Sequence, residues 1–129
     1  MKTKNKDIGE NIMETKEVII NDIVYVPKHE TVERDGMKYC IVRTYSAGVF
    51  AGYVESREGK EAVIRDARRI WYWEGAASLS QLAMSGTSKP ENCKFPEPMD
   101  KVTVTEAIEI IECSEQAMKS IQGVKIWKQ

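Results

Sequence analysis

The middle of this chain is built of short runs rich in β-branched and aromatic residues, bounded by turn residues, which read as strands whose side chains alternate faces. In Met37 to Tyr45 (MKYCIVRTY), Tyr39, Ile41, Arg43 and Tyr45 share one face, and Lys38, Cys40, Val42 and Thr44 share the other. Ser46-Ala47-Gly48 predicts a turn. Val49 to Ser56 (VFAGYVES) predicts the returning strand, in which Gly52 permits a bend or a close backbone approach. Arg57-Glu58-Gly59 turns again into Lys60 to Trp73, a run rich in β-branched and aromatic residues and free of Gly and Pro. Three consecutive antiparallel strands joined by tight turns make a meander.

The third run breaks the simple pattern. Glu61, Val63, Arg65, Ala67, Arg69, Trp71 and Trp73 would fall on one face, with Ala62, Ile64, Asp66, Arg68, Ile70 and Tyr72 on the other. Each face then mixes apolar with charged groups. One extra residue reverses every side chain beyond it, so a β-bulge near Asp66 to Arg68 is expected to re-aim the arginines.

Helical signals occur twice. Ser78 with Gln81 three residues on reads as a capping box, with Leu79, Leu82 and Ala83 on one side of about two turns and Gly86 as a left-handed C-terminal cap. A helix this short must dock its leucines on the sheet. Ser114 caps a second short helix, Glu115 to Gln122, which carries acidic residues in its first turn and stops at Gly123. Between them, Thr87 to Asp100 reads as a loop. Val102 to Glu112 reads as a strand covered on both sides, because its β-branched run outweighs the helical signal of Ala107 and Glu109. Val124 to Trp127 reads as a closing strand.

Ahead of the meander, Val18-Ile19-Ile20 and Ile23-Val24-Tyr25-Val26 flank Asn21-Asp22, a hairpin with a two-residue turn that Pro27 stops. Residues 28 to 36 are charged, end in Asp35-Gly36 and read as a loop. Residues 1 to 16 are polar with little periodicity and are expected to be a mobile or partner-dependent arm. The expected architecture is therefore mainly β, of the α+β class: an antiparallel meander sheet or small barrel of six or seven strands with two short capped helices. The expected organisation is an N-terminal arm over 1–16 and a single β-rich domain over 17–129, with the lead-in hairpin at 17–27.

With 129 residues, 42% of them hydrophobic, the chain is long enough to bury one sizeable core. A formal net charge of -1 gives no global pull toward extended nucleic acid or a membrane surface. No stretch approaches the ~18 apolar residues of a membrane span, and MKTKNKDIGENIM lacks the apolar segment of a secretory signal. Three widely separated cysteines, Cys40, Cys93 and Cys113, read as reduced thiols without metal-ligand spacing. The one histidine, His29, lies in the charged loop and reads as a solvated side chain.

The densest cluster of specific side chains lies between Lys60 and Met84. Arg65, Arg68 and Arg69 stand beside Trp71, Tyr72 and Trp73. Guanidinium groups fork onto phosphate or carboxylate, and indoles stack on bases, so this wall suits a nucleotide-like anion. The plainer reading has the tryptophans filling a core or a subunit interface and the arginines pairing with Asp66, Glu61 and Glu74. A second cluster, Arg43, Thr44, Tyr45, Ser46 and Gly48, has the small residues and hydroxyls of a pocket rim and also the composition of an ordinary hairpin turn. The ligand-binding candidates are Arg43, Tyr45, Arg65, Arg69, Trp71 and Trp73; no catalytic residue, metal site or cofactor is expected. Cys40 reads as a small buried hydrophobe, Ser46 lacks the flanks of a nucleophile elbow, and i, i+3 spacing does not bring Glu106, Glu109 and Glu112 together on a strand.

The string RTYSAGVFAGYVESREGKE (Arg43 to Glu61), followed by ARRIWYWEGAASLSQLAM and ENCKFP, resembles a widespread family of small proteins of tailed bacteriophages and prophages. The likeness runs from about Met37 to Gln129, and IINDIVYVPK resembles the lead-in many of them carry. The family is of unknown function, so the resemblance implies a phage setting and no catalytic role. The expectation is a non-enzymatic accessory protein in the host cytoplasm. It would act as a homo-oligomeric binding module for a small nucleotide-like anion or a host protein, a sponge for a host defence nucleotide being one form. The alternative is a virion component, such as a decoration or connector protein that docks through its N-terminal arm.

Overall fold

A computed structural model describes the backbone of residues 18–20 and 23–25 and all of residues 32–129. The N-terminal arm and His29 lie outside the described residues. The lead-in hairpin pairs β1 (Val18–Ile20) with β2 (Ile23–Tyr25), with Ile20 opposite Ile23, the register a two-residue connection imposes.

The main body is an open antiparallel sheet of six strands with two helices packed on it. Strand β3 (Glu33–Arg34) and β4 (Met37–Thr44) meet at Asp35-Gly36, both with positive φ, a two-residue hairpin where a loop was expected. The meander follows as β4, β5 (Val49–Glu58) and β6 (Glu61–Arg69), with β7 (Met99–Val104) on the outer edge of β6. β8 (Ala107–Glu112) pairs with the far side of β4. Two strands thus replace the single one expected over 102–112, because the chain must pass from one edge of the sheet to the other at Thr105-Glu106. The run expected to extend to Trp73 leaves the sheet after Arg69, and beyond it only Tyr72 makes a bridge, to Lys94. The closing strand at 124–127 is likewise a single bridge, Phe95 with Ile126.

The link from β7 to β8 forces the sheet to coil. Three Cα steps separate Val104 from Ala107, so at most about 11 Å lies between strands on opposite edges. The β5–β6 hairpin reaches the same corner, where the Lys60 carbonyl accepts from the Ala107 amide. Register shifts along β4, β5 and β6 interrupt the ladders of the long strands. Between the pairs Tyr53–Arg65 and Ala51–Arg68, β6 carries one residue more than β5, and Asp66 sits there with φ 52. This is the bulge the alternation called for, and it turns Arg68 away from Ala67 onto the opposite face. Opposite it, Gly52 is buried so tightly that a Cβ would lie 2.7 Å from both the Arg65 carbonyl oxygen and Ile64 Cγ2.

Coiling gives the sheet two buried faces. Cys40, Val42, Phe50, Ala62, Ile64, Ala67 and Val104 pack together inside the curl. Tyr39, Ile41, Ala51, Tyr53 and Ile70 face outward and are covered by Leu82, Ala83, Phe95, Cys113, Ala117 and Ile121. The cover consists of α1 (Leu79–Ser85), α2 (Glu115–Gly123) and the segment between α1 and β7. Ser78 caps α1 by accepting from the Gln81 amide; Gln81 Oε1 reaches back one residue further than expected, to the Ala77 amide. Gly86 ends α1 with φ 78, but its ψ of -162 is not that of a left-handed cap.

Candidate functional site

The six sequence-nominated residues occupy four different settings. Arg43 and Arg65 are engaged on the surface of the sheet: Arg43 Nε is 3.0 Å from Glu109, and Arg65 Nη1 is 3.0 Å from Glu55. Arg43 and Arg69 lie on strands either side of β5 rather than on neighbouring strands. Arg69 pins the β4–β5 turn, donating to the Ala47 carbonyl at 2.6 Å with its guanidinium 4.4 Å from the centre of the Phe50 ring. The turn is closed by Thr44, whose hydroxyl donates to the Gly48 carbonyl and accepts from the Ala47 amide. This leaves Tyr45 at the tip, 76% exposed. Trp73 is half-buried against the outer core and donates from its indole nitrogen to the Ala76 carbonyl at 3.2 Å.

Arg68 has the opposite role from an exposed anion hook. It is 4% exposed and no carboxylate pairs with it among the described residues. Its Nε donates to the Pro96 carbonyl at 3.0 Å, Nη1 to Ile121 at 2.8 Å and Nη2 to Phe95 at 3.1 Å. The guanidinium therefore caps the C-terminal end of α2, where the helix dipole favours a cation. Burial pulls its pKa down from the usual arginine range. A cavity of about 320 Å³ opens beside it, bordered by Tyr39, Asp66, Met99, Asp100 and Gln122.

Trp71 faces outward, 63% exposed. It lies parallel to Trp127, with an angle of 8° between ring planes and 6.5 Å between centroids. Two backbone devices bring these distant residues together. The Trp71 and Tyr72 amides both donate to the Lys94 carbonyl, and the Trp127 amide donates to the Phe95 carbonyl. The short stretch Lys94-Phe95 thus holds one indole on each side, anchored by the fully buried Phe95 ring. Lys94 Nζ stands 5.7 Å from the Tyr72 ring and 5.6 Å from the Trp127 ring, within cation–π range.

Lysines and carboxylates both border this face. A groove of about 670 Å³ is lined by Pro90, Glu91, Lys125, Ile126, Trp127 and Lys128. Among the described residues, none of Lys94, Lys125 and Lys128 is paired with a carboxylate. The nearby Glu74 carboxylate is occupied: the Tyr72 hydroxyl donates to it at 2.6 Å and Asn92 Nδ2 at 3.0 Å. These two bonds hold Glu74 below the ordinary carboxylate range. Tyr72, Lys94, Lys125, Trp127 and Lys128 escaped nomination; the signal available was KIWKQ, an indole set between two lysines.

Residues 37–121 match a domain of unknown function, DUF6948. The chain belongs to this family. No curated protein and no solved structure matches it. Trp71 and Lys94 fall inside the matched region, and Trp127 lies beyond it.

Proposed function

We propose that this protein is a phage-encoded accessory protein that performs no chemical step and works as a binding module in the host cytoplasm. Its ligand is a small nucleotide-like anion or an acidic region of a host protein. The observation that carries this reading is the Trp71–Trp127 pair standing open beside three unneutralised lysines. Planar rings take planar partners, and the ammonium groups of Lys94, Lys125 and Lys128 take phosphate or carboxylate. Trp and Tyr at a surface are also side chains enriched at protein interfaces. The phage setting is supported by the resemblance carried by the Arg43 to Glu61 string and by the run ARRIWYWEGAASLSQLAM after it.

Self-association fits the same reading. Strand β8 pairs only with β4 among the described residues, and Ile108 on it is exposed, so a backbone edge with an apolar side chain is open to a second copy.

The test is thermal unfolding of the purified protein against a panel of mononucleotides and cyclic dinucleotides. A ligand at about a hundred times its Kd adds ~2.7 kcal/mol of stability, a shift of several degrees. Trp71→Ala should abolish the shift while leaving the unliganded midpoint in place, because the ring is exposed. No shift with any nucleotide, together with a host-protein capture profile that Trp71→Ala leaves unchanged, overturns the reading. Finding the protein in purified particles by mass spectrometry would replace it with the virion alternative.

A further inference from the structure

We infer that the aromatic face takes a short single strand of nucleic acid, its bases stacking on Trp71 and Trp127 and its phosphates running along Lys94, Lys125 and Lys128. The inference rests on the reading of this face as the working surface and names what lies on it.

The whole chain is close to neutral, but its cations differ in their state of pairing. Arg34, Lys38, Arg43, Arg65 and Lys119 each hold a carboxylate partner within 3.1 Å. The three lysines around Trp127 hold none among the described residues. Uncompensated ammonium groups at a surface keep their full attraction for phosphate, and each one neutralising a phosphate releases a counterion.

The shape of the face points the same way. A mononucleotide needs one ring and one anionic contact. Here the lysines extend past the Trp71–Trp127 contact: Lys94 Nζ lies within 5.7 Å of the Tyr72 and Trp127 rings, and Lys125 and Lys128 line the open groove together with Trp127. An electropositive track with aromatic faces along it is the arrangement that follows a single-stranded backbone while bases stack beside it. Paired bases in a duplex present their edges and not their faces, so the indoles have nothing to stack on there. Among the residues lining the groove, Glu91 is the one carboxylate, and it limits the track to a few nucleotides.

An acidic protein segment would satisfy the lysines but not the parallel indoles. Stacking therefore separates the two classes of partner.

The experiment is fluorescence anisotropy of the full chain with labelled single-stranded DNA and RNA of about ten nucleotides, the size range of single-strand sites. The matched duplex, a mononucleotide and a poly-glutamate peptide serve as comparisons. Expected is saturable binding of a single strand, at least tenfold tighter than the duplex or the mononucleotide, weakening steeply with salt. Trp71→Ala should weaken it about tenfold or more, since base stacking is worth ~1–3 kcal/mol. The double variant Lys125→Gln/Lys128→Gln should lower the slope of log affinity against log salt by up to about two, with the thermal midpoint unchanged.

Binding of mononucleotides with no gain for the strand overturns this inference and leaves the proposed function standing. Binding of poly-glutamate alone overturns it in favour of a protein partner. Binding of nothing, or strand binding that Trp71→Ala leaves unchanged, removes it. A loss of solution mass in Trp71→Ala without any change in strand affinity assigns the face to self-association instead.

Discussion

Arg68 carries its charge into the interior with carbonyl oxygens and a helix C-terminus as compensation. Removing the side chain would take the guanidinium donor from the Pro96 carbonyl and one of two donors from the Phe95 and Ile121 carbonyls, which keep the Trp127 and Val124 amides. Each orphaned group costs ~1–3 kcal/mol. Arg68→Met is therefore expected to lower stability by about 1–3 kcal/mol, read from the midpoint of urea unfolding. Arg65→Met, whose partner Glu55 lies in open solvent, should cost no more than about 1 kcal/mol. The contrast also shows what residue type alone conveys. Sequence marks all three arginines of the 65–69 stretch as anion-seeking groups. Whether each meets a carbonyl, a carboxylate or a ligand is decided by which face the bulge gives it and by what lies across from that face. For Arg68 that is the end of a helix more than fifty positions later in the chain.

At the level of elements, the bulge and its neighbour Gly52 form one device. The bulge lengthens β6 by one residue, and the bare backbone of Gly52 lets β5 approach close enough to stay paired across it. Gly52→Ala would drive a methyl into the Arg65 carbonyl and the Ile64 side chain. It is expected to cost about 2 kcal/mol or more, because backbone must shift to make room, and it should broaden the thermal transition. The helices solve a different problem together. The final carbonyls of α1 find partners at Gly86 and on α2: the Ala83 oxygen accepts from the Ser114 amide, Met84 from the Ser114 hydroxyl and Ser85 from Gln116. One serine thus begins one helix and finishes the other. These elements were legible from the chain because their signals are local: a period of two, a serine before a helix, a register fault at Asp66. The pairing of β8 with β4 and the splitting of 99–112 into two edge strands were not. Strand partners far apart in sequence leave no local mark, and both halves of that run carry the same alternating pattern.

For the molecule as a whole, burial on both faces of the sheet sets its response to pH. Burial pushes the Cys40 thiol up to about 11 and the Cys113 thiol up to about 12, from an ordinary value of 9.0. The buried Tyr39 phenol is raised in the same direction. Each group is neutral when protonated, so its folded form holds the proton longer than its unfolded form does. The stabilisation is fully present below about pH 9 and is lost as pH climbs through the raised values. Urea midpoints should therefore be flat from neutrality to about pH 9. Above that they should fall by up to ~1.4 kcal/mol per pH unit for each titrating group. Cys113→Ala should show a shallower fall. The candidate face follows a similar logic of legibility. The aromatic content of 71–73 is visible in the chain. Its meeting with Trp127 depends on the Lys94-Phe95 stretch holding both, a juxtaposition that no spacing rule contains.

The crossing at Thr105-Glu106 has a consequence for how the protein comes into being on the ribosome. β8, which flanks most of the far side of β4, and α2, which roofs part of the outer face, are made after that crossing. A nascent chain that has emerged only through β7 holds a meander with one bare edge and an uncovered apolar surface. Pairing along that edge of β4 waits on β8, and the apolar surface that α2 covers stays exposed until α2 has been made.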